Sequence, residues 1–452
     1  MYYQNADSAV DNKDFTEASS YPSYPYVSLS ALLLFCAYTV IWYLQVGMRI
    51  SLLGTIRIEM LWAIGLICIA VFSGRLNSIR NPLVFNIVLY FVCLIISVIL
   101  SIDIAFSWDV FFNRVIKFSI FGFFIAVFIR SPRDLKYFII TFLLVCAKMG
   151  QEGFIGKITG SMMWENQGVM RLHGSTPLYF HPNSFSGMAL GTLPFILYMW
   201  KLSKSYLRYF LIILTIFSVN IILFTGSRTG YVAFLIMLFS YIFIHQKKVK
   251  YFFLVLLALL LAFIFTPEQY KERFMSSFSS YHKVDSSAGK RVQILRDAWD
   301  VFKNHPLGVG VAAFPIIRKQ LFDREQDTHN LYLEVLTNIG IQGFIVFSLL
   351  IFQIFKLLFA ICRDIDYQLS MLLNRESENF SKELQHHIYD LRLSRAVGHA
   401  LILFIILRLA LGLFGMDLYE IYWWFSIGLA IALYNINRTA RLRTAYFDSI
   451  SA

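Results

Sequence analysis

Charge is what this chain has least of. Asp, Glu, Lys and Arg make up 15% of its 452 residues, against 58% hydrophobic and 17% aromatic. A soluble domain carries about 25% charged residues, so a water-soluble fold is excluded. Cysteine is scarce too. Cys36, Cys68, Cys93, Cys146 and Cys362 all lie in or beside apolar runs, so neither a disulfide framework nor a cysteine metal site is expected. The first 27 residues lack a basic n-region. They carry Asp7, Asp11, Asp14 and Glu17 against Lys13, and read as a disordered cytoplasmic tail, not a cleaved signal peptide. Familiar catalytic signatures are missing as well: no Walker loop, no HExxH, no Gly-x-Ser-x-Gly elbow and no paired aspartates in a polar loop, Asp323 and Asp327 being isolated. An ATP-driven pump, a hydrolase and a metal-dependent transferase lose support. No metal site and no cofactor are expected.

What is abundant is long apolar sequence. Twelve runs stand out, near 28–46, 58–73, 83–102, 114–130, 135–149, 184–200, 205–224, 229–245, 250–266, 331–358, 397–414 and 419–436. Most approach the length needed to cross a bilayer, and lipid leaves helices as the natural conformation. The formal net charge is +12. Nucleic acid is not the expected partner, because much of the basic excess sits in short connectors, as the positive-inside rule requires. With a cytoplasmic N-terminus, the basic connectors face the cytoplasm: Arg75 and Arg80; Arg130, Arg133 and Lys136; Lys201, Lys204 and Arg208; Lys247, Lys248 and Lys250; and the end with Arg438, Arg441 and Arg443. Arg49 and Arg57 on the opposite side are the exception.

The expected fold is an all-α polytopic membrane protein with about twelve transmembrane helices and a large, partly helical periplasmic loop. Its divisions are a tail 1–27, helices one to nine within 28–266, the loop 267–330, helices ten to twelve within 331–437 with a cytoplasmic hairpin 362–396, and a cytoplasmic tail 438–452.

Water-side chemistry is expected where the long polar loops meet helices that start at the outer surface. Three such starts carry polar signatures: His181-Pro182-Asn183-Ser184, Thr225 to Gly230, and His329-Asn330. Each is expected to offer unpaired backbone N–H groups and a positive dipole end to an anion. A neutral imidazole beside such a site can act as a general base; the plainer alternative is a histidine that only caps a helix. Arg228 stands between two apolar runs, where an arginine is costly unless it lines a polar cavity, pairs with an anion or snorkels to the headgroups.

Within the loop, Ser286 to Asn304 has helical periodicity through Ile294, Leu295, Ala298, Val301 and Phe302. Arg291 and Leu295 share one face, so the helix is expected to pack down while the arginine reaches toward the membrane. Pro306-Leu307-Gly308-Val309-Gly310 reads as a tight turn. Between Pro267 and Thr328 there are ten Lys/Arg against eight Asp/Glu, so anion binding there must come from placement. Arg318, Lys319 and Arg324 read as solvated surface, with Arg296 and Arg318 retained as candidate substrate contacts. Gly340 and Gly343 are expected on one helix face, permitting close approach of a neighbouring helix.

At these residues the chain resembles the O-antigen ligase/polymerase superfamily of bacterial membrane glycosyltransferases. The shared pattern, His-(Asn/Ser/Gln)-x9-Gly-x-x-(Gly/Thr/Tyr), is met by His329, Asn330, Gly340 and Gly343, and an Arg-x3-Leu element by Arg291 and Leu295. The Ser227–Gly230 and Pro306–Gly310 turns are also similar. The resemblance implies a GT-C-like architecture in the bacterial inner membrane with the active site facing the periplasm. It implies transfer of a glycan from undecaprenyl diphosphate to a hydroxyl acceptor, with inversion and without metal. Arg228 and Arg291 would bind the diphosphate, and His329 would deprotonate the acceptor. Arg171, His181, Asn330, Arg296 and Arg318 are the further candidate substrate contacts. The first expectation is a ligase with lipid A-core as acceptor. The close alternative is a polymerase with a second lipid-linked glycan as acceptor. A protein O-oligosaccharyltransferase and a lipid-linked glycan flippase rank lower, the flippase because no internal repeat is visible. Membrane lipids complete the expected partners.

Overall fold

A computed structural model describes residues 22–25, 27–73, 81–166, 168–244, 248–265, 267–275, 286–374, 381–415 and 418–449. The expected tail 1–21, the Arg75 and Arg80 connector, Lys247 and the 375–380 tip of the expected hairpin lie outside the described residues.

The chain folds as α1 (Leu29–Tyr43), α2 (Val46–Arg49), α3 (Ser51–Thr55), α4 (Ile58–Phe72), α5 (Val84–Ile99), α6 (Ile104–Val110), a π-helical segment Phe111–Ile116, α7 (Lys117–Phe128) and α8 (Pro132–Thr159). A two-stranded antiparallel hairpin follows, β1 (Met163–Asn166) and β2 (Val169–Leu172), which pairs Trp164 with Arg171. Then come α9 (Pro182–Met199), α10 (Ser205–Phe224), α11 (Arg228–Ile244), α12 (Lys248–Phe265), α13 (Glu268–Met275), α14 (Ser286–Asn304), α15 (Phe314–Phe322), α16 (Leu331–Asn338), α17 (Gly340–Leu373), α18 (Lys382–Gly412) and α19 (Ile421–Ser449).

Every apolar run lies on a helix. Among the described residues, Ile104–Phe128, α8, α10, α17 and α18 are long and apolar enough to cross a membrane, and α1, α4, α5 and α11 are shorter apolar helices. The protein is an all-α, multi-pass membrane protein. Local signals set several helix ends. At α8, Ser131 and Asp134 form a reciprocal capping box, with Pro132 in the first turn where no donor is lost. α18 is the central element, with 78% of its apolar window buried inside the protein. It packs on α9, α17, α19 and α11.

α19 continues unbroken to Ser449, so the described part of the expected tail 438–452 is helical. Two expectations are corrected. The run 331–358 is not one helix but two, α16 and α17, broken at Ile339–Gly340. The glycine pair does not serve helix–helix contact. Gly340 has φ +80, and a Cβ there would strike the backbone of Leu307. Gly308, at φ +91, approaches the backbone of Asn338 and Gly340 just as closely.

The tight turn and the helix break are thus one joint. Val309 N donates to Thr337 O at 2.9 Å, Gly310 N to Asn338 O at 3.0 Å, and Ile341 N to Pro306 O at 3.0 Å. Breaking the helix frees carbonyls that the turn then satisfies, as a buried backbone demands. Ser97 Oγ on α5 also donates to Asn338 O, at 2.8 Å. A small apolar core completes the docking: Ile294, Ala298, Val301, Val309, Ala313, Phe314 and Ile317 are buried together, with Leu333 of α16 packed against them. Each Val, Ile or Phe among them contributes about 1.5–3 kcal/mol on burial, so this loop holds itself against α16. Leu295 remains 36% exposed. The stripe that packs down is therefore Ile294, Ala298 and Val301, with Leu295 at its edge.

Candidate functional site

His329 ends the long loop with its backbone in the left-handed region, at φ +49. For a residue with a Cβ this costs about 1–3 kcal/mol and persists only where the surroundings enforce it. The enforcement is visible one residue on. Asn330 caps α16, its Oδ1 accepting from Tyr332 N and Leu333 N, both at 3.0 Å. Its Nδ2 donates to Leu413 O at the end of α18, at 3.1 Å. Asn330 engages both ends of its amide inside the protein, fixing where α16 starts and hence where His329 sits.

The other two helix starts are closed in the same manner. Nδ1 of His181 accepts from Asn183 N at 3.2 Å at the start of α9. Ser227 Oγ accepts from Gly230 N at 3.1 Å at the start of α11. At each of these two starts a side chain of the chain itself takes up one first-turn N–H group. What converges on the site is guanidinium charge.

Arg171 on β2 is 5% exposed. Its Nε donates to Thr225 O at 2.7 Å and its Nη2 to Asn183 Oδ1 at 2.9 Å. One side chain thereby clasps the hairpin, the first turn of α9 and the turn between α10 and α11. Arg228 opens α11 three residues after Thr225, so the clasp also sets its place. Arg318 is 2% exposed and pairs with buried Asp297, Nη2 to Oδ2 at 2.9 Å and Nε to the same oxygen at 3.0 Å. Arg324 approaches that oxygen at 3.5 Å. Arg318 is thus not the solvated surface its neighbours suggest, whereas Lys319 is exposed and pairs with Glu325 at 2.7 Å.

Both histidines lie in this positive field. Crowding by protein atoms, then the charges of Arg171, His329 and Arg291, holds His181 down to about 4, although part of its ring remains open to solvent. Burial, then Arg291 and Arg318, holds His329 below the ordinary imidazole value. Desolvation and nearby like charge both penalise an imidazolium, so both rings are neutral at pH 7. Arg171, His181, Arg291, Arg318 and His329 therefore form one electrostatic cluster drawn from five separate elements. Arg296 stays outside it. It is exposed on α14 and makes no hydrogen bond or ion pair among the described residues. Among the described residues, no three His, Cys, Asp or Glu side chains converge as a metal ligand set.

Sequence reasoning passed over several residues here. Asp297 carried no local signal, being one acid among many in the loop. Glu334 did carry one, as the lone carboxylate in the 331–358 run. It is 4% exposed and accepts from Leu418 N at 3.2 Å. The clearest omission is Arg408. The argument that singles out Arg228 between apolar runs applies with more force inside one. Arg408 is 3% exposed, and its Nη2 donates to Gly187 O at 2.9 Å. Its guanidinium carbon lies 3.3 Å from the Tyr422 ring centroid and 5.1 Å from that of Phe404. No carboxylate pairs with it among the described residues. Cation–π contact of this kind is worth about 2 kcal/mol when desolvated, and here it fastens α9 to α18 and α19.

Comparison with curated proteins found no match. The family model described as O-antigen ligase matches residues 210–348, from within α10 to within α17. That span holds Arg228, Arg291, Arg318, His329 and both halves of the turn-and-break joint, and leaves out Arg171, His181 and Arg408. Over those residues, less than a third of the chain, the protein is similar to the O-antigen ligase family.

Proposed function

We propose that the chain is an O-antigen ligase-like inverting glycosyltransferase, moving a glycan from undecaprenyl diphosphate to a hydroxyl of lipid A-core. In this reading about twelve helices cross the bacterial inner membrane, and the loop 267–330 faces the periplasm. The observation that supports it most is the neutral His329 among Arg291, Arg318, His181 and Arg171. A diphosphate needs positive charge that is already in place, and an acceptor hydroxyl needs an unprotonated base beside it.

The donor's diphosphate lies against Arg228 and Arg291. His329 takes the proton from the acceptor hydroxyl as its oxygen attacks the anomeric carbon from the face opposite the diphosphate. The new C–O bond forms, the anomeric C–O bond to phosphorus breaks, and undecaprenyl diphosphate leaves with its charge stabilised by the arginines. The configuration inverts. The phosphate bond already activates the sugar, so no nucleotide enters. Two bound phosphates also offset the positive field that depresses His329, so the base strengthens as the donor is seated. Arg171 and His181 flank the acceptor side, and Arg318 acts through the field at His329.

The test uses purified protein with a lipid-linked donor. His329→Ala is expected to keep donor binding and lose transfer by about 10²–10⁴-fold. Arg228→Ala is expected to weaken donor binding and lose transfer as well. Full turnover by His329→Ala removes His329 as the base. A deletion strain separates ligase from polymerase. Bare core with polymer left on the carrier supports a ligase; core bearing a single repeat supports a polymerase.

A further inference from the structure

At the end of the bundle opposite His329 lies a cavity of about 890 Å³. It is enclosed by the starts of α8 and α10, the first half of α18 and the chain around Val27. Its position follows from helix direction: α8 and α10 run from this cavity to the hairpin and the Thr225 turn that hold Arg171. It therefore stands independently of the glycan-transfer reading.

The charges at its mouth are uneven. Arg133 is committed, donating to Val27 O at 2.8 Å and to Asp134 at 3.0 Å. Asp390 approaches Arg443 at 3.7 Å. Lys136 and Lys204 have no carboxylate within ion-pair distance among the described residues; Lys136 lies 5.6 Å over the Tyr389 ring. Lys204 is also the N-cap of α10, which has no side-chain cap. A cation at a helix N-terminus has the wrong sign for the dipole, and an anion between Lys204 and Lys136 corrects it. The lining also includes Ile140, Leu202, Leu207 and Leu393, with Asp390 as its one carboxylate. The cavity thus combines basic and apolar walls. It opens beside the face of α10 on which Tyr206, Tyr209, Ile213 and Ile216 are exposed, a surface that in an apolar helix of this length faces lipid.

We propose that this cavity binds an anionic phospholipid drawn from the surrounding bilayer. Its phosphodiester headgroup sits on Lys136 and Lys204, and its apolar part lies along Ile140, Leu202, Leu207 and Leu393. An anionic headgroup is drawn to basic residues near a membrane surface, and the apolar walls add a preference for an amphiphile over free phosphate.

The experiment is native mass spectrometry of the full chain released from nanodiscs containing equal phosphatidylglycerol and phosphatidylethanolamine. The native protein is expected to retain phosphatidylglycerol at one site at least fivefold over phosphatidylethanolamine. Lys136→Ala with Lys204→Ala is expected to abolish that preference, while Lys319→Ala at the other end leaves it intact. Leu207→Trp fills the cavity without touching charge, and is expected to lower retention of the bound lipid. If the double variant unfolds, Leu207→Trp carries the test alone. Equal retention of both lipids by the native protein, unchanged preference in the double lysine variant, or displacement of the lipid by millimolar inorganic phosphate each overturns the proposal.

Discussion

The two ends of the bundle handle buried polarity in opposite ways. Away from His329, where α17, α18 and α19 meet, a carboxylate stands at the centre. Asp364 receives Gln368 Nε2 at 2.9 Å, Asn437 Nδ2 at 2.6 Å and Arg441 Nε at 2.7 Å. Thr444 joins on, donating to Gln368 Oε1 at 2.9 Å and lying 2.8 Å from His387 Nε2. Charge meets counter-charge, with His387 Nδ1 left buried and without a hydrogen-bond partner among the described residues. At the His329 end, burial and then the charges of Arg171, Arg291 and Arg318 hold two imidazoles below their ordinary value. The first pattern holds helices together. The second sets positive charge beside two imidazoles, and groups perturbed in this way cluster at functional sites.

That contrast can be broken, and the largest effect is expected at Asp297. Asp297→Ala leaves Arg318 buried without its carboxylate, at a cost of about 3–5 kcal/mol; thermal unfolding in detergent measures it, and Asp297→Asn is expected to recover part. A variant as stable as the native protein shows that the Arg318–Asp297 pair does not hold α14 to α15. Next comes the joint. Gly340→Ala forces a Cβ into the left-handed region and against Leu307, costing at least 1–2 kcal/mol, and is expected to lower transfer by displacing α16 and His329 with it. Unchanged melting and turnover separate the joint from the site. At the Asp364 end, Thr444→Val leaves polar atoms of Gln368 and His387 unpaired, for about 1–3 kcal/mol, with no change in the pH profile. The smallest effect is on that profile. Activity is expected to rise with pH as His329 loses its proton, with the acid limb of free enzyme below pH 6.5. Arg318→Met, by removing one of the depressing charges, moves that limb upward. A limb at 6.5 or above in the native enzyme contradicts the field described here.

Much of this was legible in the residues. All twelve apolar runs became helices, since in lipid a run of Leu, Ile and Phe has no other way to satisfy its backbone. His329, Arg228, Arg291 and the two glycine turns could be singled out because their types are improbable where they stand. What was not legible was partnership. Asn330, singled out as a candidate substrate contact, also caps α16; Arg318 looks solvated and is buried on Asp297; the Gly340 and Pro306–Gly310 motifs look separate and are two halves of one contact.

The sequence by itself determined the all-helical membrane architecture, the place of the polar loop and the identity of the chemically capable side chains. These follow from run length, composition and local spacing, which act over a few residues. Only the tertiary structure decided that Arg171 and His181 join His329, that Arg296 does not, and that Arg408 is sunk between α9, α18 and α19. Such pairings link residues tens to hundreds of positions apart, and the helix packing that brings them together depends on the whole chain at once.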